Sequence, residues 1–241
     1  MLRADDSVDR TPGYGDLAEE YYEPRHVTCR NFEAATASWT AEHHSRIPNS
    51  GLVLDIGSGR GSAGMFCGVE AGRIVQADIA ISMLTVSPRA ASKGRVACSA
   101  LSLPFGSGSF AAVTAFLFDP FNRIEFVAES FRVLTRGGVF LGTLPHYQWG
   151  VTLRQLRGTE PHIARFITRS GECLDKPSYL VSERELRNRF TINGCRNVDV
   201  YALTLPRREL TVSPDISDPA QAIGVSPYAL PVLHLVLARK T

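Results

Sequence analysis

The residues best able to do chemistry begin at Val53-Leu54-Asp55-Ile56-Gly57-Ser58-Gly59-Arg60-Gly61, and a second carboxylate follows at Asp78. An apolar run leading into alternate glycines reads as a strand that turns tightly into a helix. Glycine suits such a turn because it lets a ligand approach the backbone. Asp78 stands about 20 residues beyond Gly57, at the end of the apolar run Ile74-Val75-Gln76-Ala77, where a carboxylate can accept both hydroxyls of a ribose. The dinucleotide spacing G-x-G-x-x-G would place its third glycine at position 62, but that residue is Ser62 and the third glycine is Gly61. Asp55 precedes the first glycine by two positions. It would repel a pyrophosphate but favour an ammonium or sulfonium. These details point to a cationic, adenosine-containing cofactor and away from NAD, so an NAD-dependent oxidoreductase is the disfavoured alternative.

Further signatures follow in order: Leu103-Pro104-Phe105, Ser109-Phe110, and Glu129-x-x-Arg132-Val133-Leu134-Thr135-Arg136-Gly137-Gly138. With Val53–Gly61 and Asp78, they make residues 50–145 resemble the class I S-adenosylmethionine (SAM)-dependent methyltransferases, in particular the subgroup with "LPF…SFD" and "E-x-x-RVLKPGG" signatures. The resemblance implies that Gly57-Ser58-Gly59 approaches the methionyl part of SAM, with Asp55 near its ammonium or ordering the loop. Asp78 would take the ribose hydroxyls, Ile79 and Met83 would lie against adenine, and Phe116 would complete the cofactor side. The acidic residue that the family uses for the adenine amino group is replaced by Ser99, leaving that hydroxyl or the Ala100 and Leu101 backbone to accept the bond. The "SFD" aspartate is replaced by Ala111.

Methyl transfer from a sulfonium needs positioning and exclusion of water more than a fixed catalytic side chain. A base matters only where the acceptor must lose a proton. Candidate acceptor-side groups leave the ends of the fourth and fifth strands: Phe116, Phe118 and Asp119 from one, His146, Tyr147 and Trp149 from the other. Ligands in open α/β sheets bind outside such carboxyl ends. His146 and Asp119 are the candidate catalytic residues. For His146 a wall role is favoured over that of a general base, despite a near-neutral imidazole. Arg154, Arg157, Arg165 and Arg169 read as a solvated face, with an acidic-acceptor site as the alternative.

The elements that must position these groups alternate. Strands are expected at 51–56, 73–78, 94–98, 110–118 and 138–144, with further strands near 197–204 and 231–239. A helix over Asn122–Leu134 has Ile124, Val127, Phe131 and Leu134 at helical spacing and closes at Gly137-Gly138. Ser182-x-x-Glu185 is a capping box. Alternating strands and helices imply right-handed crossovers and a parallel sheet covered on both faces. The fold class is therefore α/β, a Rossmann-like doubly wound sheet of about seven strands. It is mostly parallel, with the antiparallel last strand and N-terminal helical lid that the resemblance implies. Residues 1–46 would form that lid, with Tyr21 and Tyr22 towards the substrate, over a SAM-binding domain at 47–241. Substrate-side connections lie at 146–180 and 205–228, and 150–170 is expected to be mostly helical.

Composition bounds the partners. Apolar residues make up 44% and charged residues 21% of the 241, with net charge +2, which gives no reason to expect nucleic-acid or membrane attraction. Lys occurs only at 93, 176 and 240. Five scattered cysteines, without C-x-x-C, suggest buried free thiols in a reducing cytoplasm and no metal. His43-His44 are adjacent and cannot share a helix face. The N-terminus lacks an apolar signal segment, and the longest apolar run, Phe110–Phe118, is too short to span a bilayer. The expected activity is methyl transfer from SAM to O, N or C of a small-molecule acceptor in secondary metabolism, by a monomer or homodimer. The alternatives are a peptide or tRNA methyltransferase and a SAM-binding protein without transfer activity.

Overall fold

Short apolar segments buried on both faces build the centre of the molecule. The computed structural model describes residues 26–43, 46–86, 88, 91–118, 123–167, 170–207 and 211–241. In chain order it contains α1 (Val27–His43), β1 (Val53–Ile56), α2 (Ser62–Cys67), a 3-10 turn (Ala71–Arg73), β2 (Ile74–Asp78), α3 (Ile81–Val86), β3 (Gly94–Ala97), β4 (Phe110–Phe116) and α4 (Ile124–Val133). These are followed by β5 (Leu134–Pro145), α5 (Tyr147–Arg157), β6 (Ile163–Ile167), β7 (Cys173–Pro177), α6 (Glu183–Ile192), β8 (Cys195–Leu203), α7 (Pro214–Ile223) and β9 (Leu233–Lys240).

Seven strands form one sheet in the order β3-β2-β1-β4-β5-β9-β8. The first five are parallel, whereas β9 runs antiparallel to both β5 and β8. The last strand is therefore not an edge but is inserted between two others. The chain order reverses between β1 and β4, which puts the topological switch point, and so the ligand crevice, at their carboxyl ends.

Strand alternation sorts the core into two layers. Leu54, Phe140 and Val236 face α4 and α6, where Phe126, Phe131, Leu186 and Phe190 pack. Val53, Leu141 and Leu235 face α1, α2 and α7, through Phe32, Ala35, Ala63, Ile216 and Ala220. Helix α1 is thus part of the core as well as a neighbour of the crevice, and its Phe32 ring meets Trp149 edge-on at 5.1 Å.

Two local expectations change. Gly137-Gly138 do not close α4 but lie inside β5, where the register against β4 jumps from Phe110↔Leu134 to Ala112↔Val139. Gly137 takes φ 76, so its missing side chain permits that bulge. The 150–170 stretch is not mostly helical. Gly158 in the left-handed region ends α5, Pro161 follows, and Ile163–Ile167 then pairs with Cys173–Pro177 as an antiparallel hairpin. Arg154, itself buried, locks this hairpin down by donating to the carbonyls of Ile163 (3.0 Å), Pro161 and Ser178 (2.9 Å). The capping box at Ser182 is present, with its hydroxyl accepting from Glu185 N–H at 3.3 Å.

Candidate cofactor site

The loop after β1 carries Gly57, Gly59 and Gly61 at φ 60, 46 and 102, conformations that side chains resist. Asp55 holds this loop from beneath. Fully buried, it accepts from Ala63 N–H at 3.0 Å and from the Thr114 hydroxyl at 2.8 Å. Burial pushes its carboxyl up to about 7 against those two hydrogen bonds. Of the two roles that the resemblance allowed Asp55, the geometry supports ordering of the loop. Ser58 is buried, with its hydroxyl unpartnered among the described residues.

Asp78 ends β2 and faces the loop. Its Oδ1 accepts from Ala80 N–H at 3.0 Å and its Oδ2 from Gly59 N–H at 3.4 Å. Burial raises its pKa, opposed by these backbone bonds. Each oxygen keeps lone-pair capacity beyond the bond it already accepts. Beside the carboxylate lies a cleft lined by Ile56, Gly57, Ala77, Ile79, Cys98, Ala100 and Leu103. The cleft is mostly apolar, with the Asp78 carboxylate at its rim.

The E-x-x-R motif supports the far wall. Glu129 accepts from Leu103 N–H at 2.7 Å, and Arg132 binds Glu129 Oε1 at 2.6 Å while donating to the carbonyls of Leu103 (2.9 Å) and Phe105 (2.7 Å). A helix α4 pair thus fixes the Leu103-Pro104-Phe105 turn that closes the cleft.

Several expected residues sit elsewhere. Met83 is buried in α3 and does not line the cleft. Ser99 points back into its own turn, where its hydroxyl accepts from Leu101 N–H at 3.2 Å, and Leu101 packs against the core. The expected Ala100 does line the wall, and Cys98 joins it there. Phe116 meets Phe66 edge-on at 5.0 Å, and Phe118 stacks on Phe126 at 5.1 Å, so both are core side chains. Trp149 packs inward as well. It is buried and donates Nε1–H to the Asp215 carbonyl at 2.8 Å, tying α5 to α7. Tyr147 is exposed at the start of α5, and His146 is half-buried just before it. Tyr21, Tyr22, Asp119 and Arg169 lie outside the described residues.

Arg157 and Arg165 are exposed but engaged in ion pairs. Arg157 pairs with Asp215 at 3.2 Å and Asp218 at 3.0 Å, and Arg165 with Asp175 at 2.7 Å. Of the cysteines, Cys29, Cys67 and Cys195 are buried, whereas Cys98 is half-buried and Cys173 exposed. Among the described residues, no cluster of His, Cys, Asp or Glu could hold a metal, and no helix is long and apolar enough to cross a membrane.

Sequence reasoning missed Ile56, Ala77, Cys98 and Leu103 as cleft residues. Their position at strand ends on the crevice side was the available signal, but which way each side chain points depends on strand register.

Fold and cradle together define an α/β protein built to hold a nucleoside-type cofactor. Residues 54–142 match the family model of a methyltransferase domain. That stretch makes this an enzyme of the methyltransferase kind, with SAM as its cofactor. No curated relative matches significantly. Among solved structures, the chain is similar to the methyltransferase in a complex with the Haloferax volcanii Trm112 methyltransferase activator, with TM-score 0.65, 15% identity, and coverage of 95% of this chain and 96% of that one. A SAM-dependent methyltransferase from Thermotoga maritima gives TM-score 0.61 and 15% identity over 95% and 98% of the two chains. The Burkholderia thailandensis 1,6-didemethyltoxoflavin-N1-methyltransferase, solved with that compound and S-adenosylhomocysteine, gives TM-score 0.56 and 17% identity over 100% and 92%.

Proposed function

We propose that this protein transfers a methyl group from SAM to an O, N or C atom of a small-molecule acceptor in secondary metabolism, in the cytoplasm. The observation that carries the small-molecule reading is the engagement of three arginines of the 146–180 region. Arg154, Arg157 and Arg165 are held by carbonyls or carboxylates of the chain itself, so they offer no basic track for a nucleic acid. The Burkholderia neighbour, solved with bound 1,6-didemethyltoxoflavin, is consistent with this class.

In this reading Asp78 accepts the ribose hydroxyls, the Gly57-Ser58-Gly59 backbone lies along the methionyl part, and Ile79, Ala100 and Leu103 enclose adenine. When bound, SAM supplies an electrophilic methyl group on a sulfonium. The chain's own task is to fix the acceptor in line with that group and to keep water out. Of the 1–46 lid segment, residues 1–25 lie outside the described residues, and α1 is the part that can be placed as a lid over the acceptor end. The Glu33–Arg60 ion pair at 2.8 Å, which joins α1 to the glycine loop, supports that role.

The test begins with mass spectrometry of the purified protein for retained SAM or S-adenosylhomocysteine. Release of S-adenosylhomocysteine is then measured against a panel of phenols, small amines and heterocycles, with tRNA and peptides as competing classes. Turnover on the small molecules supports the proposal. Turnover confined to tRNA or peptide refutes the acceptor class, and cofactor binding with no turnover on any class favours a non-transferring SAM protein.

A further inference from the structure

At the carboxyl end of β5, the chain leaves Pro145 for His146, whose backbone N–H donates to the Val232 carbonyl at 2.9 Å. That bond brings His146 beside the start of β9, where His234 lies opposite Leu144 on one side and Ala202 on the other. The two imidazole rings are 4.3 Å apart between centroids and inclined by 40°. His234 is only 4% exposed. Both of its ring nitrogens, and Nδ1 of His146, are buried without a hydrogen-bond partner among the described residues. A neutral imidazole always carries one N–H, so at least one buried donor stands unsatisfied in His234, an arrangement that natural cores avoid.

We propose that His146 and His234 act as one unit at the acceptor end, His146 taking the acceptor's proton at Nε2 and His234 serving as the positioning residue beneath its ring. The burial of Nδ1 leaves Nε2 as the nitrogen of His146 that a ligand can reach. The assignment of a proton to this pair rests on the methyl-transfer reading, but the coupling of the two rings does not. In the step served, an O–H or N–H bond of the acceptor breaks and its electron pair stays on the heteroatom. That heteroatom bonds the methyl carbon as the carbon–sulfur pair is retained by sulfur. The proton passes to Nε2 and then to water.

The surroundings allow the pair one proton at a time. Two imidazolium rings at this separation, away from water, repel strongly. Burial lowers the pKa of His146, and burial together with the neighbouring His146 lowers that of His234 to about 4. Among the described residues, the charged group acting on both rings is Glu183 at the start of α6, which opposes these shifts and is itself paired with Arg187 at 2.8 Å. Leu144 and Ala202, the cross-strand neighbours of His234, carry no charge. At neutral pH both rings are therefore neutral, and His146 is free to accept a proton.

The test follows histidine ring resonances by NMR across pH in the full-length protein, with S-adenosylhomocysteine affinity and turnover measured alongside. His146→Asn is expected to move the His234 midpoint upward by about half a pH unit or more, because the neighbouring cation is gone. His234→Leu, which keeps volume but removes the nitrogens, is expected to lower kcat at least tenfold and shift the acid limb of its pH profile, with S-adenosylhomocysteine affinity unchanged. A His234 midpoint indifferent to His146→Asn overturns the coupling. Wild-type kcat and pH profile in His234→Leu overturn its positioning role. If the leucine variant does not fold, the asparagine titration still decides the coupling. If the wild type binds no S-adenosylhomocysteine, the methyl-transfer reading fails while the titration still reports on the pair.

Discussion

Replacing Asp78 by asparagine tests the cofactor site at its most specific contact. In the structure each carboxylate oxygen already accepts one backbone bond, Oδ1 from Ala80 at 3.0 Å and Oδ2 from Gly59 at 3.4 Å. Each has capacity for one more, which matches the two hydroxyls of a ribose. Asparagine keeps the shape and one acceptor but turns the other oxygen into a donor and removes the charge. The loss is one charge-assisted hydrogen bond, about 1.5–3 kcal/mol, or about a 10- to 150-fold weaker Kd. Isothermal titration with S-adenosylhomocysteine measures this, with circular dichroism to verify the fold. The pH dependence adds a second signature. Burial raises the Asp78 pKa, and the hydroxyl donors prefer the ionised form. Wild-type affinity should therefore fall as pH drops through the raised value, and the asparagine variant should lose that dependence. Equal affinity in the two proteins, or an equal pH slope, would refute the ribose assignment.

Glu129→Ala leaves Leu103 N–H and Arg132 without their carboxylate, so a loss of about 1–3 kcal/mol in stability is expected, with weaker S-adenosylhomocysteine binding as the cleft wall loosens. Arg132 also holds the Glu129 pKa below its ordinary value, so this contribution is present above the unfolded carboxylate range and lost as pH falls through the lowered value. A denaturant series against pH checks both. Asp55 behaves oppositely. With its folded pKa pushed up to about 7, its stability contribution is present below the unfolded value and lost as pH rises through 7. Asp55→Asn should gain stability relative to wild type between pH 5 and pH 8, and melting curves showing the reverse trend would contradict this. Trp149→Ala should cost about 3–5 kcal/mol in stability, and the milder Trp149→Phe should lower Tm while leaving acceptor KM unchanged, because the ring is core. A KM change at unaltered stability would return Trp149 to the acceptor wall.

The alternating apolar runs, the glycine spacing and Asp78 were enough to read the doubly wound sheet and its cofactor turn from the sequence, because backbone conformation and strand burial are local properties. Glycine takes positive φ without strain whatever surrounds it, and a strand buried on both faces is mostly apolar. The E-x-x-R motif was recognisable, but its work was not, since Leu103 and Glu129 meet only after the chain has folded back. Side-chain direction at strand ends was likewise undetermined. One residue of register separates a cleft wall from a core position, and that is how Cys98 replaced Ser99 and how Phe116 and Phe118 turned inward. The hairpin at 163–177 was missed because a short apolar run suits helix or strand equally until a partner strand is found. His234 drew no notice in an apolar C-terminal strand. Its importance arises from the antiparallel insertion of β9 beside β5, a long-range pairing that sets it against His146 and that no local pattern encodes.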